Sequence, residues 1–212
     1  MRRKAIALIA VLTALALVGA ACGKKAETKA TPSASTAAAN LRVTLDSLLR
    51  EHVFLAAAAT GDALAGQTKA FTAAAGALDA NSVDLSMAIG SVYGADAEKA
   101  FLPLWRSHIG FVVDYTSNFA DKTKQDKAVQ DLLQYTKTFG AFLAGANPNL
   151  TKDAVAELVK EHILTLKAVI DAQYAKDYTT AHTALRTAAH HMGMMSSVLA
   201  DAIVKQFPDK FV

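Results

Sequence analysis

Three histidines share one local pattern. Leu48-Leu49-Arg50-Glu51-His52-Val53, Leu104-Trp105-Arg106-Ser107-His108-Ile109 and Leu158-Val159-Lys160-Glu161-His162-Ile163 align without gaps, each as Leu, apolar, basic, Glu or Ser, His, β-branched. The histidines lie 56 and then 54 residues apart, and histidine is only six residues of 212, so the recurrence marks an internal repeat. Around each one the apolar residues step by three and four: Leu45, Leu48, His52, Leu55, Ala59; Phe101, Leu104, His108, Phe111, Tyr115; Val155, Leu158, His162, Thr165, Val169. That period sets every imidazole on the inward stripe of a helix. A buried polar group without a partner costs about 1–3 kcal/mol, so each ring must find a hydrogen-bond partner, a metal or a haem.

A second candidate lies near the C-terminus, in His190-His191-Met192-Gly193-Met194-Met195. On a helix His191 pairs with Met194 and Met195, and His190 with Met194, one turn apart. Imidazole with thioether suits copper, Cu(I) above all, better than zinc or magnesium. The candidate metal ligands are therefore His191, Met194, Met195 and His190, with His52, His108 and His162. A plainer reading stands beside this one: methionines fill cores, and a seam histidine is commonly satisfied by a hydroxyl or carbonyl across the bundle. Glu51 and Glu161 fall about 100° round the helix from their histidines and read as boundary residues. His182 reads as a surface residue and Trp105 as a core or boundary aromatic. The chain has no HExxH, CxxC, phosphate loop or GxSxG, and Glu51-His52 and Glu161-His162 lack the ExxH spacing of di-iron bundles. These absences argue against an enzyme.

The elements that must position these residues are helices throughout. From Asn40 the three-to-four period continues to the C-terminus, and no stretch alternates at period two. Six helices are expected, over 40–60, 65–92, 96–120, 125–144, 151–173 and 177–206. Breaks fall at Thr60-Gly61-Asp62, Tyr93 to Asp96 and Gly145 to Asn149. Thr151 is the best N-cap, and Pro103 predicts a kink or a late start in the third helix. The fold class is all-α: three repeated αα-hairpins forming an up-and-down helical bundle over residues 40–212.

The N-terminal part has a different character. Met1 to Lys4 is basic, Ala5 to Val18 is a run of fourteen apolar residues, and Val18-Gly19-Ala20-Ala21-Cys22 follows. That run is too short to cross a bilayer and suits a signal-peptide core. The last five residues resemble a lipobox, with Gly19 where a branched apolar residue is usual. Residues 1–21 then read as a lipoprotein signal peptide, Cys22 (the only cysteine) as the lipidated residue, and 22–39 as a polar, alanine-rich tether. The expected location is the extracytoplasmic face of the cell envelope, with the membrane as partner through Cys22. Six basic residues and one acid precede residue 40, so of 22 and 19 in the chain the domain keeps 16 and 18, a formal charge of −2. No nucleic-acid footprint results.

The segments LRVTLDSLLREHVFLAAAA, LDANSVDLSMAIGSVYGADAEKAF and AIVKQFPDKF resemble a family of secreted bacterial helical proteins whose members often carry the label copper amine oxidase. The resemblance spans the domain and implies an exported helical protein with a link to copper. It does not imply the oxidase activity. Copper amine oxidases are large β-rich enzymes with a cofactor-forming tyrosine in an Asn-Tyr-acid motif, and this chain has no Asn-Tyr pair. Two functions remain open: a tethered helical protein binding copper or another transition metal, and a metal-free structural or interaction module of the envelope.

Overall fold

The computed structural model describes residues 35–211. The expected signal peptide, Cys22 and most of the expected tether lie outside the described residues. Six helices follow: α1 (Ala37–Leu64), α2 (Thr68–Tyr93), α3 (Ala95–Ser117), α4 (Lys122–Ala146), α5 (Lys152–Tyr174) and α6 (Tyr178–Gln206). Each packs against its neighbour in the chain, and α6 returns to α1, so the up-and-down bundle closes on itself. Helix α1 also touches α3 and α5, which brings the three odd-numbered helices, the carriers of the repeat, together inside. No described helix is long and apolar enough to cross a membrane.

Local chemistry sets the ends. Thr36, Asp121, Thr151 and Asp177 each accept a backbone N–H three residues on, satisfying donors that the first helical turn leaves free. Thr36 starts α1 three residues ahead of the expected position, so Ala37 to Ala39 belong to the helix and not to the tether. The break expected at Thr60-Gly61-Asp62 is not one, for α1 runs through it to Leu64. The turn is made instead at Gly66, whose φ of +70° is the left-handed conformation glycine adopts without strain. Gly61 has another use: a Cβ there would meet the Gln173 amide at 3.1 Å, and that amide donates to the Ala57 carbonyl. Helix α3 begins at Ala95, well ahead of Pro103, so the late start does not occur. Pro103 and Lys99 are both exposed, so the carbonyl the proline leaves without a donor is on the solvent side of the helix.

The seams match their period. Leu45, His52, Ala59, Phe101, His108, Tyr115, Val155, His162 and Val169 are all buried. Trp105, Phe139, Val159 and Met192 belong to one large apolar cluster, and Ala56, Leu78, Leu166 and Ile170 to another. Gly140 lets α4 approach α5 closely, since a Cβ there would stand 2.5 Å from the Lys152 carbonyl oxygen.

Candidate metal centre

The repeat has a geometric consequence. Three equivalent positions on three helices of one bundle reach the same depth, and there the imidazoles of His52, His108 and His162 meet. Each is at most 3% exposed. One nitrogen from each ring lies within 4.8 Å of the other two. The closest pair is His52 Nε2 and His108 Nε2 at 3.4 Å. Ring centroids are 5.4 Å apart for His52 and His108, 5.5 Å for His52 and His162, and 6.1 Å for His108 and His162. Nitrogens bound to one metal at 2.0–2.1 Å stand about 3.3–3.6 Å from each other, so the first pair already has that separation and His162 needs to move inward by roughly an ångström.

Aromatic rings wall the site. Trp105 packs at 4.9 Å from His52 and 4.6 Å from His108, and Tyr135 of α4 packs at 4.9 Å from His108. Its side-chain hydroxyl, the Trp105 Nε1, and four ring nitrogens of the triad (His52 Nδ1, His108 Nδ1 and both nitrogens of His162) are buried without a hydrogen-bond partner. Only two other side-chain atoms among the described residues share that condition, Asn81 Oδ1 and Gln125 Nε2, so the unsatisfied polarity is concentrated at one place.

Burial also fixes the protonation state. It drives the His52 imidazole well below its ordinary value, with His108 and His162 adding to the effect. It takes His108 down to about 4, opposed by the Trp105 backbone, and His162 down to about 3, where His108 and His191 add to it. All three rings are thus neutral at pH 7, the state in which imidazole binds a metal. No carboxylate or thiolate belongs to the cluster among the described residues. Tyr135 is held protonated by burial, so it offers a donor and not a phenolate.

The terminal His-Met turn is arranged differently. His190 is exposed, and so is Met194, at 49%. Met195 is buried in the main apolar cluster. His191 is buried, but its Nε2 lies 2.8 Å from the Leu158 carbonyl and donates to it. The four residues therefore do not join the triad's ligand set: two point outward, one is packed in the core, and one has a private partner. Gly193 is the contact point with α1. A Cβ there would collide with Arg50, which donates to Asp46 and to the Ala189 carbonyl.

Other expectations are met. Glu51, Glu161 and His182 are exposed, and Trp105 is a core aromatic. A haem held between His52 and His108 as they stand does not fit, because an iron midway between Nε2 atoms 3.4 Å apart would lie about 1.7 Å from each, inside the usual metal–nitrogen distance. Sequence reasoning missed Tyr135 as a wall of the site, although Leu132, Tyr135 and Phe139 repeat the three-to-four step on α4. Fold and site together define an all-α bundle with a buried three-histidine cluster. No protein-family model matches the chain, and neither a curated protein nor a solved structure is similar to it.

Proposed function

We propose that the protein is an exported, membrane-tethered binding protein that holds one transition-metal ion, copper foremost, between His52, His108 and His162. The observation that carries this is the convergence of three buried, neutral imidazoles, four of whose six nitrogens find no hydrogen-bond partner while the other two face only each other. Three unsatisfied groups cost a fold several kcal/mol in total, and a bound metal offsets that cost. Imidazole suits zinc, copper, iron and nickel alike. Charge separates them. A dication in an apolar cage with no anionic ligand bears a larger desolvation penalty than Cu(I), which brings half the charge. The preference for copper thus rests on the neutrality of the cage and not on the methionines. The N-terminal pattern ending at Cys22 supports export and tethering.

The test is competition for Cu(I) between the full chain and a chromogenic chelator, in the absence of oxygen. The expected result is one ion per chain, and at least a hundredfold weaker binding in His52→Ala and His162→Ala. Wild-type affinity in both variants would put the ion away from the triad, and no uptake by the wild type leaves the metal-free structural module as the function.

A further inference from the structure

A cavity of about 480 Å³ lies between α1, α2 and α3, and its wall includes His52 and His108. Ala56, Ala59, Phe71, Ala75, Leu78 and Val112 make it apolar. Its polar groups are mostly engaged elsewhere. The Thr60 hydroxyl is held between the Ala57 carbonyl and the Gln173 amide oxygen, and the Thr116 hydroxyl donates to the Val112 carbonyl. Arg106 and Asp79, which also line it, form a two-bond pair at 2.7 and 2.8 Å and cancel each other's charge. His52 and His108 reach the same wall, their Nε2 atoms 3.4 Å apart. The volume is within the range of small-molecule sites.

From this we infer that the cavity admits an uncharged molecule with an apolar body and a single soft donor atom, which completes the coordination of the metal. The inference rests on the metal reading above. Three protein ligands leave a metal with an open position, and the cavity runs past two of the three. A second cation is disfavoured as occupant, since the wall offers no uncompensated negative charge and the bound Cu(I) repels it, and an anion would have to shed its water against an apolar wall. A strongly hydrogen-bonding molecule is disfavoured too: Thr60 and Thr116 are already committed, and of the lining hydroxyls only that of the exposed Ser117 is unengaged. The small residues Ala56, Ala59 and Ala75 make room for the apolar body, and Cu(I) selects a soft head.

Alkyl isocyanides of graded size are suitable probes, because coordination to Cu(I) shifts the C≡N stretch seen by infrared spectroscopy. The full chain is first loaded with Cu(I) and its metal content measured, then titrated with methyl and with cyclohexyl isocyanide. Cyclohexyl isocyanide is expected to bind at least tenfold more tightly than methyl isocyanide. In Ala75→Trp and Val113→Trp, which fill the cavity from α2 and α3 without touching the triad, that preference should fall below twofold while Cu(I) is retained. Equal affinity for both probes in the wild type overturns the inference and leaves the metal site standing. So does an undiminished preference in either copper-loaded variant. If neither variant folds, the size series in the wild type decides. A wild-type chain that retains no Cu(I) overturns the metal reading, and this inference with it.

Discussion

The bundle holds histidine in two kinds of place, and the contrast shows what burial alone does not reveal. His191 and His162 are almost equally hidden, at 4% and 3% exposure. Yet the first gives its Nε2 to the Leu158 carbonyl, while the second has no partner at either nitrogen. One is a polar group absorbed into the packing of α5 against α6. The other is a polar group that the packing leaves uncompensated, beside two more that each lack a partner at Nδ1. A protein that kept the triad for stability alone would have supplied a hydroxyl or carbonyl to each ring, as it did for His191.

The largest difference between the two places is expected with pH. For each triad imidazole the folded-state value lies below the unfolded value of about 6.5, reaching about 4 for His108 and about 3 for His162. Above pH 6.5 both states are neutral and the triad has no effect on the pH dependence of stability. As the pH falls below 6.5 the unfolded chain takes up protons that the folded one refuses. Stability then declines by as much as about 1.4 kcal/mol per pH unit for each ring, until the folded rings themselves titrate near 4 and 3. Metal-free protein should therefore lose several kcal/mol between pH 6.5 and 4.5, measured by urea titration at each pH. His162→Leu should lower the slope by about a third. A flat profile in metal-free protein would mean that the rings are hydrated or paired in solution.

How much of this was legible in the residues differs between the two places for a physical reason. A repeat carries three-dimensional information: equivalent positions on equivalent helices reach equivalent depth, so the match of His52, His108 and His162 set all three rings on inward stripes, while whether the rings meet depends on how the helices pack. The His-Met turn relied on spacing within one helix, which states that two side chains are neighbours but not which way the helix faces. Here α6 turns so that His191 and Met195 face inward while His190 and Met194 face out, a rotation set by contacts from other helices. The Arg50 hydrogen bond to the Ala189 carbonyl and the closeness of Gly193 to Arg50 are two such contacts. Gly61 failed as a stop signal for a related reason. Its missing side chain answers Gln173 across the bundle and not the local backbone.

The next difference is one of sign. Replacing His162 by leucine removes two buried unsatisfied nitrogens and keeps an apolar side chain of similar size, so metal-free protein should gain about 1–3 kcal/mol at pH 7. The same change at His191 breaks a made hydrogen bond and should cost about 1 kcal/mol. Chemical denaturation of both variants measures the pair of values. A gain at His162 together with lost copper binding is the pattern of a functional site held at the expense of stability. A loss of similar size at both positions would put the triad in the same structural category as His191, and the contrast drawn between them would disappear.

The smallest effects are expected on the outward face of α6, and they separate spacing from position most cleanly. His190 and Met194 are exposed, and neither reaches the triad. His190→Gln and Met194→Gln should each change stability by less than about 0.5 kcal/mol, as surface substitutions do. Copper affinity should stay within twofold of wild type in both, read in the same chelator competition. If instead Met194→Gln alone weakened copper by tenfold or more, the sulfur would belong to a second, surface site on α6, because a residue that is 49% exposed cannot ligate an ion inside the bundle without turning the helix. That turn would have to break the Arg50 bond to Ala189 and the Ser196 bond to Asp46, which hold α6 on α1. The metal-loaded and metal-free forms would then differ in amide exchange along this seam, and unchanged exchange would leave the sulfur at a surface site with α6 unturned.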